Sequence, residues 1–454
     1  MFPFRTSTLR ERPVTEPLRL GRLGLFAVLL LFGVSLAFRL LWLGRVPGIH
    51  GDEGWYGTQV VRMLHGKSWT GWTPSRLPVN PQLFCTETAL LLFVKPSGFV
   101  LRLPIAIWSI VGVVLTFHLH RSVYKDRTEA VLVSLLTACL PAHLAYARFC
   151  WDSSFSFVSV PLVLYPTLRI VERDGSARTW ACLAGGSILA VWTHATHAVF
   201  VLGCLLVVAW LWLMPWLQWA LAARERRRAC AALSLFLIIV FMVWQWEAAV
   251  WFVARGEEWL ADRWRTGLRA ITTLIDLVTG LRAYEFMAGV PRPNWVTLLY
   301  AVVLTTGAGA GIALVRSGRP ADRALATLFP LLLVMLLAPA VSAKLRFGSL
   351  SYERYVLYFV PLTIAAFVRS VRTAVARGRQ WAQAVPVAAS IVCSGFFLVQ
   401  FWQNYLHSLD RHTYWERMRA TAQWSFGTGP VEPKSAVAAA ILSADPAARV
   451  QVYA

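Results

Sequence analysis

The chain has 454 residues, 57% of them hydrophobic and only 15% charged, against about 25% charged in a typical soluble domain. That deficit excludes an ordinary soluble globule and points to apolar runs of about 20 residues, the length that spans hydrocarbon. The net charge of +21 does not imply nucleic acid. The arginines sit in short clusters between apolar runs, as cytoplasmic loops place them, and no soluble segment carries a basic face with interleaved stacking aromatics.

The N-terminus holds Arg5, Arg10, Arg12, Arg19 and Arg22, followed by the apolar run 23–43. No small-residue cleavage site follows, so this reads as an uncleaved first span with a cytoplasmic N-terminus. Arg39, near the outer end of that run, is expected to snorkel to the interface. Residues 44–102 form an external loop, polar and punctuated by Gly and Pro, with a short apolar stretch at 82–94 that lies in the outer interface because it is too short to span. Further spans are expected over 103–119, 129–147, 153–171, 180–192, 198–222 and 230–253. Arg121, Lys125, Arg127, Arg173, Arg178 and the run 224–228 mark the inner side. Residues 254–294 form a second external loop, whose apolar residues recur at helical spacing (Trp264, Leu268, Ile271, Ile275, Val278), as an amphipathic interfacial helix requires. Spans follow over 295–315, 324–341, 355–368 and 384–402, with Arg316, Arg319, Arg323, Arg369, Arg372, Arg377 and Arg379 inside.

The fold class is therefore all-α: a polytopic transmembrane helical protein with about eleven spans and external loops carrying short interfacial helices. Residues 1–402 make one transmembrane module. Residues 403–454 read as a soluble external tail, ending in a strand-like stretch that suits a truncated small domain.

Three polar groups fall on the expected outer face. The first is Asp52-Glu53 with Tyr56, just after the first span. Adjacent acids at a helix start are either a cap favoured by the macrodipole or a catalytic acid, and the flanking Gly51 and Gly54 would let a substrate approach the backbone. The second is Arg148 with Asp152, either an interfacial ion pair or part of a site; the third is Arg354-Tyr355, either a membrane anchor or a ligand contact. Convergence on one face favours a shared site over separate accidents. His194 and His197 lie one helical turn apart and read either as a packed pair or as phosphate contacts.

The order and spacing of these motifs resemble the type C (GT-C) membrane glycosyltransferase superfamily, with relatives such as the protein O-mannosyltransferases and the lipid A aminoarabinose transferase. The matching elements are Asp52-Glu53 with Tyr56, Asn80-Pro81-Gln82-Leu83, Arg102-Leu103-Pro104, Arg148 with Asp152, and Arg354-Tyr355 followed by Pro361. The chain departs from that pattern at Asn80 and at His194 and His197, where the family often has Lys. The resemblance implies a polyprenyl-phosphate-linked sugar donor and transfer with inversion to a lipid, glycan or protein acceptor. It places the site on the outer face of the plasma (inner) membrane.

In that reading Asp52 takes the acceptor proton as base, and Glu53 orients it or binds acceptor. Arg354, with Arg148 second, neutralises the leaving phosphate. Asp152, Tyr56, Tyr355, His194 and His197 complete the substrate-binding set. No cofactor is required, although the carboxylates and imidazoles leave room for a divalent metal. The rival class is a multi-span transporter or lipid flippase, which would carry ionisable residues deep in its spans, as Glu247 alone clearly does.

Overall fold

The computed structural model describes residues 21–44, 53, 97–150, 152–194, 197–222, 271, 273–279, 295–337, 356–375 and 380–406. Among these residues the chain is helical and contains no strand. Helix α1 (Arg22–Leu40) is followed by α2 (Gly98–Tyr124), α3 (Arg127–Cys139) and α4 (Pro141–Tyr146). A 3₁₀ turn (Asp152–Phe155) leads into α5 (Ser156–Val171), α6 (Ala177–Thr193) and α7 (His197–Ala222). After these come α8 (Trp295–Arg316), α9 (Pro320–Leu337), α10 (Phe359–Val375) and α11 (Gln380–Phe401), which continues into a π turn at Trp402–Leu406.

Three segments among the described residues are long and apolar enough to cross a membrane: Arg22–Leu40, Gly98–Tyr124 and Ala384–Phe401. The other runs named from the sequence are helical or lie outside the described residues, as 230–253 does. The surface is apolar where hydrocarbon would solvate it. Leu29, Ile107, Val334, Val392 and Phe396 are all at least half exposed, whereas Arg39, Arg102, Glu129 and Arg148 are buried. Water as the only solvent would favour the opposite arrangement.

Local chemistry sets the helix ends. Ser97 caps α2, its hydroxyl accepting from the Val100 N–H at 3.2 Å, and Asp126 caps α3 by accepting from the Glu129 N–H at 3.0 Å. These bonds satisfy N–H groups that have no partner within the helix. The expected single span over 129–147 is broken. Leu140 sits at ψ 127° before Pro141, because a residue ahead of proline is disfavoured in the α conformation.

Helix α5 is the hub, packed against α2, α6, α7 and α9. All of its residues except Leu162 and Arg169 are buried. Its two prolines, Pro161 and Pro166, remove the N–H groups that the carbonyls of Phe157 and Leu162 would otherwise accept from. Each of those carbonyls meets a glycine from a neighbouring helix. A Cβ on Gly112 of α2 would stand 2.4 Å from the Phe157 oxygen, and one on Gly186 of α6 would stand 2.4 Å from the Leu162 oxygen. Glycine is what permits that approach, and its Cα–H groups lie against the otherwise orphaned oxygens.

Candidate active site

The structure places Glu53 in the interior, fully buried. The Arg102 guanidinium donates to it twice, Nε to Oε1 at 2.9 Å and Nη2 to Oε2 at 2.7 Å. The Cys150 N–H also donates to Oε1, at 2.8 Å. Arg102 further donates from Nη1 to the Leu43 carbonyl at 3.0 Å. A planar fork on a carboxylate is the strong, geometrically exacting form of ion pair. Both oxygens of Glu53 are therefore engaged in tying its segment to the start of α2 and to the loop after α4. This geometry suits the orienting role rather than acid–base chemistry. It also sets the residue next to Asp52 against Cys150, which lies two residues from Arg148 and two from Asp152. Glu53, of the first polar group in the sequence reading, is thus bonded to the backbone between Arg148 and Asp152 of the second.

Arg148 is buried and donates from Nη1 to the Phe38 carbonyl at 2.5 Å and from Nη2 to the Leu41 carbonyl at 2.7 Å. These carbonyls end α1, where the helix leaves acceptors without internal partners, and a cation is favoured there by the macrodipole. Arg148 thus caps a helix by which the chain enters the loop of Asp52. The following chain turns over at Ser154, whose hydroxyl donates to the Phe149 carbonyl at 3.3 Å, and Asp152 opens the 3₁₀ turn that results.

Arg39 does not snorkel to an interface as its sequence position suggested. It is 1% exposed. Its guanidinium donates to the Ser109 hydroxyl at 3.0 Å, the Ser35 carbonyl at 2.8 Å and the Ala138 carbonyl at 3.0 Å. The break at Leu140–Pro141 frees backbone carbonyls; Arg39 takes that of Ala138, and His143 Nδ1 bonds that of Thr137 at 2.6 Å. The attraction of the broken backbone outweighs the cost of keeping the charge from water, because a freed carbonyl in an apolar interior has no other donor.

His197 is buried and lies on the α6–α7 turn. Its Nε2 is 2.7 Å from the Ser156 hydroxyl and its Nδ1 is 2.8 Å from the Ala190 carbonyl. The His194 and His197 rings stand 5.8 Å apart, and Tyr358 meets His197 edge-on at 6.2 Å. His197 is thus packed among these groups, with His194 half-buried beside it. Asp52, Tyr56, Arg354 and Tyr355 lie outside the described residues, as does the side chain of Asp152. Among the described residues no three His, Cys, Asp or Glu side chains gather as a metal site would require.

The opposite end of the helices holds a second polar cluster that sequence reasoning treated only as loop markers. Glu129, fully buried, is bonded by His120 Nε2 at 2.8 Å and by Arg369 Nη1 at 3.1 Å. Arg369 also grips Asp322 with two bonds, at 2.8 and 3.2 Å. Arg319 pairs with Glu172 at 2.8 Å, and Arg372 pairs with Asp126. The Tyr124 ring lies against both Arg369, at 4.5 Å, and Arg319, at 4.9 Å. Arg369 and Arg372, expected in a loop after a span ending at residue 368, are part of α10 itself. The end of α2, the start of α3, the end of α5, the start of α9 and the end of α10 thus share one side, as the alternation of arginine clusters required.

No protein-family model matches the chain, and no curated protein matches it. Among solved structures it is similar to the archaeal oligosaccharyltransferase AglB from Archaeoglobus fulgidus in complex with an inhibitory peptide and a dolichol-phosphate, at 14% identity and a TM-score of 0.46, covering 85% of this chain and 56% of that one. The same oligosaccharyltransferase in its apo form gives 14% identity and a TM-score of 0.45 over 83% of this chain and 56% of that one. The complex with Zn and sulfate gives 14% identity and 0.42 over 83% and 53%. The chain spans about half the length of these neighbours.

Proposed function

We propose that the chain is a membrane glycosyltransferase that moves a sugar from a polyprenyl-phosphate-linked donor to a lipid, glycan or protein acceptor, with inversion at the anomeric carbon. Its reaction takes place on the outer face of the plasma membrane, with the N-terminus in the cytoplasm. The observation that carries this reading is the Glu53 carboxylate, which joins Arg102 of α2 and the Cys150 N–H. It ties Glu53, the sequence neighbour of Asp52, to the backbone between Arg148 and Asp152.

The chemistry then follows from residue types. Asp52 accepts the proton of the acceptor hydroxyl as the sugar's bond to phosphate breaks. Glu53 is a positioning residue, held by a bidentate guanidinium, so that its neighbour keeps one orientation. Arg354 is the fixed cation for the departing lipid phosphate, and loss of one such donor raises the barrier by about 3 kcal/mol. Arg148 holds the end of α1 in place beneath that site and contributes a fixed positive charge. Asp152, Tyr56, Tyr355 and His194 contact donor sugar or acceptor.

The test uses the full chain in lipid vesicles with a panel of radiolabelled polyprenyl-phosphate sugars, following label into lipid, glycan and protein. Transfer by wild type, abolished by Asp52→Asn at unchanged expression, is the expected result. A mutant that transfers like wild type would make Asp52 a helix cap and sink the base assignment. Movement of labelled lipid between leaflets without any transfer would establish the transporter or flippase class instead. Repeating the assay with a chelator decides whether a divalent metal takes part.

A further inference from the structure

Nothing in the acid–base scheme uses the buried pair Ser156–His197, yet it stands where three parts of the proposed site meet. Because the Ala190 carbonyl can only accept, His197 Nδ1 carries the proton across the 2.8 Å contact. Nε2 bonds the Ser156 hydroxyl at 2.7 Å. The Thr193 hydroxyl, which donates to the same Ala190 carbonyl at 2.7 Å, lies 3.3 Å from Nδ1. All three side chains are buried. The far edge of the network is aromatic: Tyr358 packs edge-on to His197, and its ring lies 5.7 Å from Phe200 and stacks at 4.9 Å on Phe359.

Each partner leads to a different candidate group. Ser156 opens α5 directly after the turn that begins at Asp152. Thr193 and Ala190 end α6 beside His194. Tyr358 follows Arg354 and Tyr355 by a few residues and precedes α10. We propose that His197 is a positioning residue for sugar transfer, fixing the Asp152 turn, the His194 turn and the segment after Arg354 relative to one another; this rests on the transferase reading above. The imidazole suits the task because one rigid ring offers a hydrogen-bonding nitrogen on each of two sides. A phenyl ring of the same size would keep the edge contact with Tyr358 but would make neither hydrogen bond.

The experiment compares wild type, His197→Phe, Ser156→Ala and, as a packing control at another buried α7 position, Val207→Ala, in lipid vesicles. Transfer kinetics and backbone amide exchange are both measured. A loss of positioning on the order of 1 Å costs up to about 10²-fold in rate. His197→Phe and Ser156→Ala are therefore expected to lower kcat by about tenfold or more, with KM for donor little moved. Both should raise amide exchange in 154–160, and His197→Phe also in 190–194, beyond any change caused by Val207→Ala. Unchanged kcat in both variants, or exchange at those segments no greater than in the control, overturns the proposal. If His197→Phe does not fold, Ser156→Ala decides alone. A wild type that transfers nothing defeats the transferase reading; the exchange pattern then still decides whether His197 ties these segments together.

Discussion

The two polar ends of this protein use arginine in different ways. At the end that holds Glu53, Arg39 and Arg148 donate to backbone carbonyls left by a broken or ending helix. At the other end Arg319, Arg369 and Arg372 each close on a carboxylate. A guanidinium on carbonyls organises backbone without cancelling charge, whereas one on a carboxylate neutralises both groups. The first arrangement shapes a loop region and keeps positive charge near it. The second fastens five helix ends together. Arg102 stands between these cases, sharing itself between Glu53 and the Leu43 carbonyl.

That contrast can be broken most forcefully at Arg102. Arg102→Met takes the guanidinium from the buried Glu53 carboxylate, and removal of one partner of a buried pair costs about 3–5 kcal/mol. Thermal unfolding in detergent should show the loss, and transfer should fall with it. Adding Glu53→Gln should restore much of the stability while transfer stays low, because the orientation of Asp52 is not restored. Recovery of both together would remove Glu53 from its positioning role.

Arg369→Met takes the shared guanidinium from Asp322 and from Glu129, which keeps its bond to His120, at the opposite end and should destabilise by a similar amount, about 3–5 kcal/mol. Here the turnover of the molecules that remain folded should match wild type, measured as kcat per folded protein. A selective loss of kcat would mean that the two ends are coupled. Gly112→Ala tests the hub between them: its Cβ would meet the Phe157 oxygen, and overpacking of this kind costs about 1–3 kcal/mol. A variant as stable as wild type would show that α2 can move off α5 freely.

The smallest effect belongs to Asp174, in the turn between α5 and α6. Its slight burial works to raise its pKa, but bonds from the Ser176 N–H and the Thr179 hydroxyl, with the charge of Arg169, outweigh this and hold the carboxyl below its ordinary range. A lowered folded-state pKa means that the ionised form stabilises the fold above the unfolded value of about 3.9 and that this contribution disappears as pH falls through the lower folded value. The pair is partly exposed, so Asp174→Asn should cost under about 1 kcal/mol at neutral pH. That difference should vanish in unfolding curves taken at the acid end.

The placement of the helices was largely readable from the chain. The runs 23–43 and 103–119 correspond to α1 and α2, and the arginine clusters correctly gather five helix ends on one side. The helix break after α3 was missed although Pro141 was in plain view, because a proline reads alike at the start of a helix and within one. Pro161 and Pro166 show the converse, sitting inside an unbroken α5. Within the candidate site, Glu53 was read as orienting Asp52 or binding acceptor and Arg148 as a phosphate contact, but the groups that hold them, Arg102 and the carbonyls ending α1, were not legible. Arg39 was taken for an interfacial anchor.

Apolar span length, helical class and the sidedness of the arginines depend on the transfer of each residue between water and hydrocarbon, a quantity that adds up along a short window of chain. Partner choice does not add up in that way. Arg102 meets Glu53 across 49 positions, Arg39 meets Ala138 across 99, and Arg148 meets Phe38 across 110. Only the packing of α1, α2 and the α3–α4 break against one another decides which carbonyls are left open and which side chain is close enough to fill them. A buried polar group must then take the partner that space provides.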